Sequence, residues 1–252
     1  MTRCHWSFLF VCFLFGSSAV SAALAQDLVG QKVMTIEWDV DLKVQRTVVH
    51  TSSLGEVFTI DNQQGDWLWI SSHRGWIERS SVIPYDQAIA HFDQQVQDSP
   101  SAINHYHRGL ALQATGDVEK AIADYGRAID IAPETAAYFV IRGNAWNDKG
   151  EHDKAIADYD EAIRLEPSGA AYHGRGDASY EKGDYAQAIS DYSQAIETDP
   201  EFTIALNNRG TALLKQGQLD AAIADYDQAL RLDPTFSPAF ANRGRAKAQM
   251  GR

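Results

Sequence analysis

The chain has 252 residues, 22 Lys+Arg against 34 Asp+Glu, a formal net charge of −12, 44% hydrophobic residues, two Cys and seven Pro. That length allows one large domain or two small ones with a buried core, and the acidic balance argues against nucleic acid or an anionic membrane surface as the principal partner. No Lys/Arg cluster marks a basic patch that would offset it.

Residues 1–25 read as a removable leader. Arg3 and His5 precede an apolar stretch from Trp6 to Phe15, and Ala23-Leu24-Ala25 supplies small residues for cleavage before Gln26, with Ala22 as a second candidate. A run of that length fits a secretory signal and is too short to cross a bilayer unaided. The expectation is an exported protein, periplasmic or at the cell surface. The alternatives are an uncleaved membrane anchor and a lipoprotein signal at Leu9-Phe10-Val11-Cys12, where Val11 is bulky for a position that wants a small residue. Cys4 and Cys12 are the two cysteines, so cleavage leaves a cysteine-free chain of net charge −13 that cannot use disulfides.

Residues 27–84 alternate β-branched and aromatic residues, broken by Gly, Asp and Asn. Val33, Ile36, Val40, Val44, Val48 and Val49 lead into Gly55-Glu56-Val57-Phe58-Thr59-Ile60, Asp66-Trp67-Leu68-Trp69-Ile70 and Gly75-Trp76-Ile77. The pattern predicts five or six short strands closing a small barrel, with turns at Asn62-Gln63-Gln64-Gly65-Asp66 and His73-Arg74-Gly75. The string from Gly55 through Gly65-Asp66-Trp67-Leu68-Trp69 and Gly75-Trp76-Ile77 to Ser81-Val82-Ile83-Pro84 resembles bacterial Src-homology-3-like domains. That resemblance implies cell-wall or protein contacts. Glu78, Arg79 and Ser80 follow Gly75-Trp76-Ile77, so the proline-rich ligand of eukaryotic members is not carried over. Trp38, Trp67, Trp69 and Trp76 have two readings. They either fill the barrel core, the favoured expectation, or Trp67 and Trp69, two apart and therefore on one face, form a ligand platform on the barrel surface.

Beyond residue 84 the chain repeats. Prolines fall at Pro100, Pro133, Pro167, Pro200 and Pro234, separated by 33, 34, 33 and 34 residues, and Arg-Gly pairs recur in step from Arg108-Gly109 to Arg243-Gly244. Between them recur Ala121-Ile122-Ala123-Asp124-Tyr125 and its counterparts at 155–159, 188–192 and 222–226. Ala155, Ile156, Tyr159, Ala162 and Ile163 have helical spacing, with Asp158, Asp160, Glu161 and Arg164 on the opposite face, and Pro167 ends the helix. The first half of each unit is helical too and closes at turns such as Lys149-Gly150-Glu151, where glycine supplies the left-handed conformation. Each unit is therefore predicted to be a helical hairpin, with the recurring Gly and Ala letting its helices approach and the recurring Tyr filling the space beside them.

These strings resemble tetratricopeptide repeats, in the variant with an Arg-Gly pair in the first helix. The resemblance covers 102–135, 136–168, 169–202 and 203–236 as full repeats, flanked by half-repeats 85–101 and 237–252. It implies an all-α solenoid of hairpins after the all-β barrel. It also implies a groove lined by the first helix of each hairpin. Carried onto this chain, the groove residues include Tyr106, Leu110, Asn144, Asn147, His173, Asp177, Tyr180, Asn207 and Thr211. Relatives that clamp a terminal carboxylate use lysines and arginines there, and these are missing. The ladder of Arg108, Arg142, Arg175 and Arg209 recurs with Asp124, Asp158, Asp191 and Asp225, so the arginines are expected to be neutralised within the solenoid. As partly exposed pairs they would contribute about 0–1 kcal/mol each.

No catalytic constellation is recognisable. No strand-to-helix nucleophile turn surrounds a serine, no phosphate-binding glycine loop is present, and His105 and His107 are two apart on a helix, not the i, i+4 pair of a metal site. Neither cofactor, metal nor small-molecule substrate is expected. The sequence reads as a non-catalytic exported adaptor that binds a protein or peptide through its repeats. A self-associating envelope protein and a regulatory subunit of a separate envelope enzyme are the alternatives.

Overall fold

A computed structural model describes residues 27–36, 40–44, 47–52 and 56–251. Residues 1–25, expected to be a leader, with both cysteines, and Trp38 lie outside the described residues. The chain divides into two compact units at Ala88/Ile89.

The first unit is built of eight antiparallel strands among the described residues. They are β1 (Lys32–Thr35), β2 (Val40–Val44), β3 (Thr47–Ser52), β4 (Val57–Thr59), β5 (Asn62–Gln64), β6 (Trp67–Ile70), β7 (Gly75–Glu78) and β8 (Val82–Pro84). They form a three-stranded sheet, β4-β1-β8, and a five-stranded sheet, β3-β2-β7-β6-β5. Leu28, Val33, Leu42, Phe58, Ile60, Leu68, Ile70, Ile77 and Val82 make one buried cluster.

Three expectations are corrected in this unit, the first being the strand count, eight short strands among the described residues in place of the five or six predicted. The turn between β5 and β6 is only Gly65-Asp66, because Asn62, Gln63 and Gln64 pair with Trp69, Leu68 and Trp67. Gly65, at φ 60°, stands first in this two-residue turn, whose twist suits the paired strands. Trp67, Trp69 and Trp76 are not core either. Leu68, Ile70 and Ile77 take the inward positions of β6 and β7, so period-two alternation turns Trp67, Trp69 and Trp76 to the outer face, with Trp67 38% exposed.

The second unit is a solenoid of ten helices among the described residues. α1 (Ala88–Asp98) comes first, followed by hairpins α2 (Ala102–Ala114)/α3 (Val118–Ile131), α4 (Ala136–Asp148)/α5 (His152–Leu165), α6 (Gly169–Glu181)/α7 (Tyr185–Thr198) and α8 (Thr203–Lys215)/α9 (Leu219–Leu232). α10 (Ser237–Gln249) ends the series. The hairpin turn is the same each time. At Gly150, with φ 77°, the Glu151 N–H donates to the Trp146 carbonyl and the Gly150 N–H to the Asn147 carbonyl, which together satisfy the last turn of α4.

Within a hairpin, the second-helix tyrosine lies against the first-helix glycine. A Cβ added at Gly143, Gly176 or Gly210 would meet the ring of Tyr159, Tyr192 or Tyr226 at 2.9, 2.7 or 2.8 Å, and one at Gly109 would collide with Tyr125. Tyr125, Tyr159, Tyr192 and Tyr226 are the largest fully buried side chains among the described residues. Burial raises the pKa of each phenol, and each hydroxyl finds a polar partner at the rim of the hairpin.

The arginine ladder is neutralised internally, as expected, but its carboxylates are far more buried than partly exposed pairs. Arg142 holds Asp158 through Nε and Nη2 at 2.8 and 2.6 Å, and Arg108, Arg175 and Arg209 repeat the two-point contact with Asp124, Asp191 and Asp225. The Asp124 and Asp191 side chains are each only 1% exposed. The remaining Nη1 of Arg108, Arg175 and Arg243 reaches back to Asp93, Asp160 and Asp227 of the preceding second helix. The ladder therefore ties each hairpin internally, and Arg108, Arg175 and Arg209, the last through Ser193, also join theirs to the preceding second helix.

Candidate functional site

The first helices contact one another along the solenoid, α4 against α6, α6 against α8 and α8 against α10, and present a common polar face. Two adjoining cavities open on it. One, of about 430 Å³, is lined by Gln113, Asn144, Asn147, Asp148, His173 and Asp177 among others, and the second, of about 260 Å³, by Asn147, Asp177, Tyr180, Glu181, Asn208 and Thr211. Asn147 and Asp177 belong to both.

The polar residues are held from behind by the buried tyrosines. Tyr125 donates its hydroxyl to Gln113 Oε1 at 2.8 Å, Tyr159 to Asn144 Oδ1 at 2.7 Å and Tyr192 to Asp177 Oδ1 at 2.7 Å, while the Tyr226 and Thr211 hydroxyls lie 3.3 Å apart. Neighbouring repeats then cross-link. Asn208 Nδ2 donates to Asp177 Oδ1 at 3.1 Å, Asn242 Nδ2 to Asn207 Oδ1 at 2.9 Å and Gln113 Nε2 to Asp148 Oδ2 at 3.4 Å. The groove is thus a pre-set row of amides, hydroxyls and carboxylates with little side-chain freedom left to lose on binding.

His173 is the titratable centre of the row. Burial lowers its pKa, against the pull of Asp177, and its ring lies between Tyr192 and Phe202. A neutral imidazole protonated on Nδ1 serves both of its neighbours, Asp177 at 3.4 Å from Nδ1 and the Asn208 amide donating to Nε2 at 3.2 Å.

Of the residues expected in the groove, Asn144, Asn147, His173, Asp177, Tyr180 and Thr211 line the two cavities. Three do not. Tyr106 packs its ring 5.3 Å from that of Tyr138, and Leu110 joins the cluster around Leu112 and Tyr125. Asn207 is buried and spends its amide on Asn208 and Asn242. Its place in the cavity is taken by Asn208, one residue on, and the acidic Asp148 and Glu181 complete the lining. An arc of helix surface wider than one residue per turn could have signalled all three. Neither cavity is lined by a lysine or arginine among the described residues.

In the first unit, Trp69 faces Trp76 across β6 and β7, with ring centroids 5.3 Å apart, and donates its indole N–H to Ser71. Trp67 and Trp76, with Lys43 and Gln64, border a shallow depression of about 210 Å³ on the outer face. No helix among the described residues is long and apolar enough to cross a membrane.

The family model described as tetratricopeptide repeat matches residues 85–134, 106–170 and 173–235. No curated protein matches the chain. Among solved structures, YrrB, described as a TPR protein with an unusual peptide-binding site, is 22% identical over 64% of this chain and 84% of its own, with a TM-score of 0.55. The MamA protein is 23% identical over 60% of this chain and 82% of its own at a TM-score of 0.56. MamA from Desulfovibrio magneticus RS-1 reaches the same TM-score at 16% identity, over 60% of this chain and 87% of its own. At such identities the likeness is one of fold. The hairpin repeat seen in the sequence, in the packing of glycine on tyrosine and in the family match leads to one conclusion: this chain belongs to the tetratricopeptide repeat family.

Proposed function

We propose that the protein is an exported, non-catalytic adaptor whose first-helix groove holds an extended peptide bearing a lysine or arginine side chain. The observation that carries this reading is Asp177. Its carboxylate is fixed by Tyr192 and Asn208, it belongs to both cavities, and Asp148 and Glu181 add negative charge beside it with no lysine or arginine in the lining among the described residues. The Asn147 amide matches a peptide backbone, and the half-buried ring of Tyr180 at the cavity wall matches an apolar neighbour on the ligand. The peptide-binding site in the description of YrrB supports the same use of the fold.

The leader-like residues 1–25 support export to the periplasm or cell surface, with retention as an uncleaved anchor as the alternative. The Src-homology-3-like reading of the first unit, with Trp67 and Trp69 on its surface, gives the adaptor a second contact, to cell wall or protein. A regulatory subunit differs from this only in its partner. Self-association is the reading of another class, favoured by Phe240, 48% exposed on α10.

Fluorescence anisotropy with extended peptides that differ at a single Lys, Gln or Glu tests the groove. The lysine peptide binds tightest and weakens with salt, and Asp177→Asn or Tyr180→Ala loses about tenfold while circular dichroism is unchanged. Equal binding of the three peptides, or an unaltered Asp177→Asn variant, would falsify the reading. Sedimentation at several concentrations separates adaptor from self-stacking, which predicts mass that grows with concentration.

A further inference from the structure

Three side chains far apart in sequence converge in the first unit. His50 lies on β3, Glu56 leads into β4 and His73 sits in the turn from β6 to β7. His50 Nε2 is 3.2 Å from both Glu56 carboxylate oxygens, His73 Nε2 is 3.8 Å from Glu56 Oε1, and one ligand atom from each of the three lies within 4.8 Å of the others. Two imidazole nitrogens are thus aimed at one carboxylate. A tetrahedral ion with bonds of about 2.0–2.1 Å separates its ligand atoms by about 3.3 Å, close to the 3.2 Å between His50 and Glu56, and His73 at 3.8 Å needs only a small side-chain shift.

The surroundings hold these groups as an ion would need them. Ser72 Oγ lies 2.9 Å from His73 Nδ1, the outer contact that leaves Nε2 to point inward. The Glu56 backbone is pinned on both sides by Thr35, whose N–H donates to the Glu56 carbonyl and whose Oγ1 accepts from the Glu56 N–H, each at 3.0 Å. The Phe58 ring meets both imidazoles edge-on, with centroids 6.4 Å from His50 and 5.2 Å from His73. Each of the three groups is about one-third exposed, so an ion has an entry path and water can fill a fourth position.

We propose that His50, Glu56 and His73 bind a divalent transition-metal ion of the zinc class, with Nε2 of each histidine and the Glu56 carboxylate as ligands. The ion clips the five-stranded sheet, through β3 and the β6–β7 turn, to the three-stranded sheet, through the residue that opens β4. This unit is small, and both cysteines of the chain lie in the first twelve residues, so no disulfide can staple it. A metal staple serves the same need in domains of this size.

Zinc titration of the full chain by calorimetry, with cobalt as spectroscopic reporter, tests the site. One zinc binds per chain, cobalt shows intense tetrahedral absorption, and zinc addition moves the His50 and His73 ring resonances in NMR spectra of the unmutated protein. His73→Ala, in an exposed turn, lowers affinity more than about 100-fold, and Glu56→Gln does the same while keeping the side-chain shape; Ser72→Ala costs about tenfold through orientation alone. Absence of saturable zinc binding overturns the proposal. So does zinc binding that persists unchanged in His73→Ala and Glu56→Gln, or that leaves the two ring resonances unmoved.

Discussion

Arg175 and Asp191 meet at two points, Nε on Oδ2 at 3.1 Å and Nη2 on Oδ1 at 2.6 Å, and the third edge of the same guanidinium donates to Asp160 of the previous hairpin. The hydrogen bonds that Arg175 donates to Asp191 are the chief reason its pKa is raised, against burial. Removing either partner has unequal consequences. Arg175→Ala strands Asp191, 1% exposed, in the core with only Gln187 as donor, and costs about 3 kcal/mol in denaturant unfolding. Asp191→Ala costs less, because the arginine is 20% exposed and keeps Asp160. Equal costs would show that the carboxylate is not the strained partner.

Glycine at the first four Arg-Gly pairs is needed for space, not for backbone freedom. Gly176→Ala forces a Cβ to 2.7 Å from the buried Tyr192 ring and destabilises by about 1–3 kcal/mol, despite alanine's better helix propensity. Gly244 on α10 has nothing within 4 Å, so Gly244→Ala stabilises by about 0.5–1 kcal/mol. Thermal melts of the two variants shift in opposite directions. Two shifts of the same sign would contradict the assigned packing.

Acid acts on the solenoid in two windows. Burial lowers the pKa values of His91, His107 and His173, so stability is full above the unfolded histidine value near about 6.5 and declines as pH falls through it toward the folded values. Asp124 is pushed upward by burial, but the hydrogen bonds from Arg108, Arg127 and His105 prevail and hold its carboxyl below the usual range. Its contribution is full above about pH 4 and is lost as pH falls through the lower folded value. Midpoints from urea titrations at stepped pH read both windows. The drop near pH 6 shrinks in His107→Gln.

Trp67 and Trp69 sit outside the core of the first unit, so their replacement leaves that unit folded. Trp69→Ala loses the ring contact with Trp76 and the bond to Ser71, at a cost of about 1 kcal/mol, whereas Leu68→Ala removes a fully buried side chain and costs about 2–5 kcal/mol. Denaturant midpoints of the two variants check the ranking. A Trp69→Ala cost equal to that of Leu68→Ala would return the tryptophans to the core.

The hairpin repeat is legible from the chain alone because one packing problem is solved again and again. Gly109, Gly143, Gly176 and Gly210 must each receive a tyrosine ring, and each turn needs a left-handed residue at Gly116, Gly150, Gly183 or Gly217, so composition and spacing recur in phase. The Arg–Asp pairing is legible for the same reason. Only the tertiary structure decides the rest. Trp67-Leu68-Trp69-Ile70 is apolar on both faces of the strand, so period two separates the pairs without saying which one enters the core. Asn207 and Asn208 are about 100° apart on one helix, and the position of α10, through Asn242, buries the first and leaves the second in the groove. His50, Glu56 and His73 carry no local pattern at all, since strand pairing alone brings them together. Local periodicity follows from the chain's own geometry, while the choice of face and the meeting of distant residues depend on what packs against them.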